Sequence, residues 1–307
     1  MKILVTGGAG FIASHIVDAY INQGHEVAVI DNLSSGQKKN VNPKAELFEI
    51  DIQDARVSDI FSKYQFDVVN HHAAQMDVRK SVADPMFDAQ INVLGTLNLL
   101  ENCIRTKVNK FIFASTGGAI YGEQDYFPAD EAHPTWPISP YGITKLAGEK
   151  YIHYYKVVHG LSHTILRYAN VYGPRQNPHG EAGVVAIFTE RFLKSNGRPV
   201  INGDGKQTRD YVYVGDVVRA NVKALEYEES DIFNIGTSVE ADVNELFRLL
   251  NEYTGANADE FHGPAKPGEQ LRSCLSYKKA DRILNWQPKV ELSQGLQNTV
   301  DYFKENL

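Results

Sequence analysis

The chain has 307 residues, 43% of them hydrophobic and 22% charged, and a formal net charge of -7. That length can bury a sizeable core in one large domain or two lobes, and the acidic balance disfavours nonspecific binding to nucleic acid or to an anionic membrane surface. No apolar run approaches the roughly 20 residues of a membrane span, and Cys103 and Cys274 form neither a disulfide framework nor a metal-like spacing.

The chain opens directly on the apolar run Ile3-Leu4-Val5, a strand rather than a cleavable signal. Short β-branched runs then alternate with amphipathic stretches. Val27–Ile30, Leu47–Ile50, Val68–Asn70 and Phe111–Phe113 read as further strands, and His163–Tyr168 as a sixth. Two of these runs show little or no polar alternation, as in strands covered on both faces. Between them, Val93, Leu97, Leu100 and Ile104 recur at helical spacing over Asn92–Arg105. This rhythm predicts an α/β fold with a doubly wound parallel sheet of the Rossmann type.

Beyond Gly173-Pro174-Arg175, glycines and prolines interrupt the pattern around a helix expected near Val184–Ser195. A seventh strand is expected at Ile232–Ile235, and helices over Glu240–Tyr253 and Leu292–Phe303. The expected organisation is a nucleotide-binding domain over 1–172 with a returning strand near 229–238, and a smaller, discontinuous α/β lobe mainly from 173–307. That lobe should lie over the carboxyl ends of the strands, where ligands of such sheets bind.

Directly after the first strand comes the turn Thr6-Gly7-Gly8-Ala9-Gly10-Phe11-Ile12-Ala13. Gly7, Gly10 and Ala13 occupy the three positions of a G-x-x-G-x-x-G turn. The glycines allow the backbone to turn tightly and approach a pyrophosphate at a helix N-terminus. Asp31 ends the next strand, 24 residues after Gly7. Its carboxylate can accept from both adenosine ribose hydroxyls and would repel a 2'-phosphate. No arginine follows in Asn32-Leu33-Ser34, so NAD is expected rather than NADP, with Lys38 and Lys39 the only nearby cations. Asp51 is placed to meet the adenine amino group, and Ala73-Ala74 let the backbone run close to the cofactor. The cofactor contacts expected are Gly7, Gly10, Phe11, Ile12, Asp31, Asn32, Asp51, Ile52, Ala73, Ala74, Gln75, Asn92 and Ser115, together with Tyr141 and Lys145. None of the ten histidines shows a metal spacing, so no metal is expected.

Tyr141 and Lys145, in Pro140-Tyr141-Gly142-Ile143-Thr144-Lys145, share one face of a helix. A tyrosine has an ordinary pKa near 10. A neighbouring ammonium and a positive nicotinamide ring stabilise its phenolate, which can then take a proton from a hydroxyl while the carbon is oxidised. A third hydroxyl is expected at the end of strand five, from Thr116 first and Ser115 as the alternative, to relay the proton.

These motifs together resemble the extended short-chain dehydrogenase/reductase family, and within it the UDP-glucose 4-epimerases. The resemblance runs through TGGAGFIAS, DNLSSG, HHAAQMDVRKS, FASTGGAIYGE, SPYGITK, LRYANVYGPRQ, GDGKQTRDYVYVGDV and KPGE. It implies bound NAD, oxidation of a UDP-sugar at C4, rotation of the 4-keto sugar and reduction on its other face. By position it implies Thr116, Tyr141 and Lys145 as the catalytic set, with Asn170 and the diphosphate ligand Arg209 on the sugar nucleotide. Further substrate contacts are implied at Val184, within the loop from Arg175, and at Lys266, Glu269, Arg272 and Ser273. Lys266 stands where the family usually has arginine, so Arg272 is a candidate to assist. Related 4,6-dehydratases carry an Asp-Glu pair where Gly117-Gly118 stand here. Seven residues past Lys266, the small Ser273 implies room for an N-acetyl group at the sugar's C2. A cytoplasmic homodimer is implied, pairing helices 85–105 and 141–159 into a four-helix bundle. Two other readings stay open: a dehydratase, decarboxylase or reductase of the same family, and a dinucleotide-sensing protein without turnover.

Overall fold

The computed structural model describes residues 1–179, 183–194, 198–266 and 270–307. The strands are β1 Lys2–Thr6, β2 Glu26–Ile30, β3 Glu46–Phe48, β4 Val68–His71, β5 Lys110–Thr116, β6 Ser162–Tyr168 and β7 Asn170–Tyr172. They continue with β8 Ile201–Asn202, β9 Thr208–Tyr213, β10 Asp231–Ile235, β11 Glu240–Asp242, β12 His262–Gly263 and β13 Arg272–Ser273. The helices are α1 Phe11–Asn22, α2 Val57–Tyr64, α3 Val78–Ala83, α4 Pro85–Ala89, α5 Gly95–Thr106 and α6 Gly117–Ile120. After these come α7 Pro140–His159, α8 Val184–Lys194, α9 Val214–Glu226, α10 Val243–Thr254, α11 Lys278–Leu284 and α12 Leu292–Asn306.

A seven-stranded, all-parallel sheet runs β10-β6-β5-β4-β1-β2-β3. This is the expected doubly wound sheet, and the apolar strands explain it. Along β1, Ile3 and Val5 point into a core layer under α1 and α9, while Leu4 points into the layer under α2, α5 and α7. Both faces of β1 are covered, so it carries almost no polar alternation. The strand order reverses between β1 and β4, and the crevice at their carboxyl ends is where such sheets bind ligands. Ile232–Ile235, expected as the seventh strand, pairs with β6 in parallel register.

The second lobe centres on β9. Its first half pairs with β11 and β13, and its second half with β7. Phe188 and Phe192 of α8, Phe247 and Leu250 of α10 and Leu296 and Val300 of α12 form its core. Three expectations need correction. Glu240–Asp242, read as helical, is a strand held by antiparallel pairing to β9, and the helix begins only at Val243. The third strand stops at Phe48, two residues short of Ile50. The helix expected from Asn92 opens as a π-helical stretch over Gln90–Leu94. Ser195 lies outside the described residues.

Candidate active site

The floor of the crevice is built at Thr6, which is in register with His71. The Thr6 hydroxyl accepts from the amides of His72 and Ala73, which leaves its proton for Nδ1 of His71 at 2.7 Å. His71 must then carry its own proton on Nε2, where it meets Thr96 Oγ1 at 3.0 Å; Thr96 in turn donates to the Asn92 carbonyl. Burial holds His71 well below the ordinary histidine range, so it stays neutral.

Gly7 begins the turn above this floor with φ +72°, and a Cβ there would stand 2.8 Å from the Ala73 amide nitrogen. No other residue fits both the left-handed backbone and the contact. Gly10 then starts α1, whose N-terminus no side chain caps. Gly8 lies inside the same turn but serves packing instead, since a Cβ there would stand 2.7 Å from Val29. Helix and strand therefore pack closest at Gly8, and Ala13 is buried one turn further along.

Asp31 is buried at the end of β2, and its carboxylate accepts from the amides of Ala9 (2.9 Å) and Leu33 (2.8 Å). Burial pushes its pKa up against those two bonds. Asn32 donates to Asp51 at 2.7 Å, and Asp51 also receives the Gln53 amide. Ile52 is buried beneath them. An uncapped helix N-terminus, a glycine turn with no room for a side chain and a buried carboxylate one strand over suit the pyrophosphate and ribose of an adenine dinucleotide.

Across the crevice, α7 carries Tyr141 and, one turn on, Lys145, whose ammonium reaches β5. Ser139 caps the helix by accepting from the Gly142 amide, and Pro140 occupies its first turn. Gly142 allows close approach, since a Cβ there would meet the Ala119 carbonyl at 2.7 Å. Tyr141 is half-buried, and its amide donates to Ser81. Lys145 is buried; its ammonium donates to the Ala114 carbonyl at 2.9 Å and lies over the Phe113 ring. Burial drags Lys145 down to about 8, against the pull of Asp88 and Glu149. Burial and this cation together drag His72 to about 3. The ammonium therefore sits between the ends of β4 and β5.

The two hydroxyls at the end of β5 point to different places. Ser115 is buried and donates to Glu149 at 2.6 Å. Glu149 is in turn gripped by both the Nε and Nη2 of Arg167, at 3.0 and 2.6 Å. Thr116 is half-buried, and both its Oγ1 and the Oδ1 of Asn170 lie within 4 Å of the Cβ that Gly118 lacks.

Asn92 is committed inside the protein. It accepts from the Gln75 amide and donates to the Gln75 carbonyl, Asp88 and Thr144. Gln75 also donates to Asp88, and Thr144 donates to the other Asp88 oxygen. Sequence reading missed Glu149, Arg167, Asp88 and Thr144. A signal existed for Glu149, which lies four residues past Lys145 on the stripe begun by Tyr141.

On the second lobe, Arg209 is half-buried on β9, and its guanidinium donates to the carbonyls of Thr208 and Gln270. Asp210 beside it is buried and pushed up to about 6, although it accepts from Thr237, Ser238 and Leu275. Arg272 donates twice to Glu240 and lies over Phe127, and Lys266 is exposed. Ser273 is buried in register with Arg209. Val184 begins α8 and is half-buried. Glu269, and residues 180–182 of the expected substrate loop, lie outside the described residues. The start of that loop is latched to α1 by Arg175, which pairs with Asp18 at 2.8 Å.

The geometry agrees with what comparison finds. A profile described as the NAD dependent epimerase/dehydratase family matches residues 3–236. The chain is 48% identical to a putative UDP-glucose 4-epimerase of Methanocaldococcus jannaschii, over 99% of each chain. A solved UDP-glucose 4-epimerase from Thermotoga maritima with UDP-glucose superposes with a TM-score of 0.97 at 51% identity, covering 100% of this chain and 99% of that one. A UDP-glucose 4-epimerase from Thermus thermophilus in complex with NAD gives a TM-score of 0.95 at 45% identity over 100% of both. The chain belongs to the NAD dependent epimerase/dehydratase family, among the extended short-chain dehydrogenase/reductases.

Proposed function

We propose that the protein is a 4-epimerase of UDP-sugars, interconverting UDP-Glc and UDP-Gal and also UDP-GlcNAc and UDP-GalNAc. The reading is supported by Thr116 at the carboxyl end of β5, by the buried Lys145 whose ammonium donates to Ala114 of the same strand, and by Tyr141 one helical turn before Lys145 on α7, with the Gly7 turn at the end of β1. When bound, NAD serves as a reversible oxidant of the sugar C4 carbon, so no cofactor is consumed. Gly7, Gly10, Phe11 and Ile12 would hold its pyrophosphate, and Asp31 its ribose diol.

Tyr141 takes the proton of the C4 hydroxyl and returns it once the 4-keto sugar has turned over. Lys145 stabilises the phenolate through its charge and the low local dielectric. Thr116 donates to the reacting oxygen, while Asn170 and Arg209 hold the sugar nucleotide, Arg209 turning from its two carbonyls to the diphosphate. Lys266 adds charge at the cleft mouth, and the small Ser273 leaves room for an acetamido group.

A dehydratase is disfavoured by the residues that follow Thr116. Gly117 and Gly118 carry no acid to eliminate water, and a Cβ on Gly117 would press on the Leu275 side chain. Purified protein incubated with UDP-Glc, without added NAD, should yield UDP-Gal. Loss of water from the sugar, or net formation of NADH, would overturn the assignment.

The same reading makes the enzyme a homodimer. On α7, the exposed Ile143, Tyr154, Val157 and Val158 form an apolar stripe, and Met86 (80% exposed) and Leu94 extend it from α4 toward α5. Such a face fits a four-helix bundle with a second copy. Both cysteines are free and buried, which supports placing the enzyme in the reducing cytoplasm. Among the described residues, no helix is long and apolar enough to cross a membrane.

A further inference from the structure

A cavity of about 420 Å³ lies between α7 and the edge strand β10, at the side of the sheet away from β1. Its floor is His163 and Ile165 of β6, two residues apart and so on the same face, with Ile232 of β10 beside them. Its wall is Lys150, His153 and Lys156, which share one side of α7.

His163 is 5% exposed, and its Nδ1 has no hydrogen-bond partner among the described residues. An orphaned ring nitrogen of this kind costs free energy. The acids at the rim are already taken. Glu149 is held by Arg167, and Asp231 by Lys279 at 2.5 Å. Among the described residues Lys150 and Lys156 have no ion-pair partner, so the cavity presents two lysines and two imidazoles beside the apolar Ile165 and Ile232.

We propose that this cavity binds the phosphate group of a small phosphorylated molecule. Lys150, His153 and Lys156 hold its oxygens, and His163 donates from Nδ1 when protonated. A dianion with three terminal oxygens can use this many donors, whereas a carboxylate has only two oxygens. The volume leaves room for a sugar-sized body against Ile165 and Ile232. Burial, with His153, Lys156 and Lys110 nearby, holds the empty-site His163 down to about 4, against the pull of Asp231. A bound dianion reverses that field and raises it.

The test uses NAD-loaded protein saturated with UDP, so that the catalytic diphosphate site is filled. Inorganic phosphate is titrated at pH 7, where its dianion is well populated, and at constant ionic strength while the imidazoles are followed by long-range 1H–15N NMR. The expected result is a saturable change at His163 and His153, with His163 passing from the neutral to the protonated pattern. Lys150→Ala and Lys156→Ala, both surface changes that spare the core, should each weaken the apparent Kd by about tenfold. Acetate should leave His163 neutral. A His163 signal that does not respond, an equal response to acetate, or unchanged binding in the double lysine variant would overturn the proposal.

Discussion

Replacing Glu149 with glutamine tests the buried network behind the catalytic lysine. Glu149 and Arg167 are 2% and 4% exposed, and the carboxylate accepts from two guanidinium nitrogens and from Ser115. Glutamine keeps the shape but removes the charge, leaving a guanidinium buried without its counter-ion. Breaking a buried pair from one side costs about 3–5 kcal/mol, a large fraction of the roughly 5–15 kcal/mol that holds a typical fold. Urea unfolding at fixed NAD should show that loss for Glu149→Gln, whereas Glu149→Leu with Arg167→Met should recover most of it. A second readout follows from sign. Glu149 raises the Lys145 pKa, so removing its charge lets Lys145 lose its proton at lower pH. The alkaline fall in turnover should therefore move to lower pH. A Glu149→Gln protein within about 1 kcal/mol of the parent, or an unmoved alkaline limb, would refute the reasoning.

Gly7→Ala should purify almost free of NAD, because it forces a side chain into a left-handed backbone and onto Ala73; NAD stoichiometry after acid release checks this. Thr116→Ala should lower kcat by about 100-fold, whereas Ser115→Ala should lower the unfolding midpoint more than kcat, its hydroxyl being spent on Glu149; steady-state kinetics and thermal melts separate the two. Asp210 has a folded pKa near 6, above its ordinary value, so burying its charge costs most above that pH and the cost fades as pH drops toward 4. The parent should gain stability relative to Asp210→Asn as the pH falls from 7 to 5, measured by urea unfolding, and a relative loss would reverse the sign argued here. Val157→Asp, which puts a charge on the apolar stripe of α7, should shift the protein from dimer to monomer in light scattering.

The sheet was legible in the sequence because its strands are short, rich in apolar and β-branched residues, and separated by helical patterns, with β1 and β2 almost unbroken apolar runs. The turn at Gly7 was legible because its backbone need is local. Other features depend on partners far along the chain. Three residues at Glu240–Asp242 become a strand only through β9, and no short window distinguishes them from a helix start. The extra residue of the π-helical stretch at Gln90–Leu94 is invisible to a helical repeat. Arg167 sits in a buried strand, and only the fold reveals that Glu149 neutralises it. Asp88, Asn92 and Thr144 likewise meet only when α4 and α7 pack together. The resemblance named Arg272 as an aid to Lys266, and the pairing of its guanidinium with Glu240 is visible only in the fold.

The proposed mechanism depends above all on the Tyr141 phenol, charged under the influence of Lys145, moving the sugar's C4 proton beside resident NAD. The sharpest check compares UDP-Glc turnover by the parent and by Tyr141→Phe, without added NAD and with bound NAD quantified in both. Cofactor content should be equal in the two proteins, and the rate of the variant should fall by about 1000-fold or more. Turnover within tenfold of the parent at equal cofactor content would contradict the mechanism.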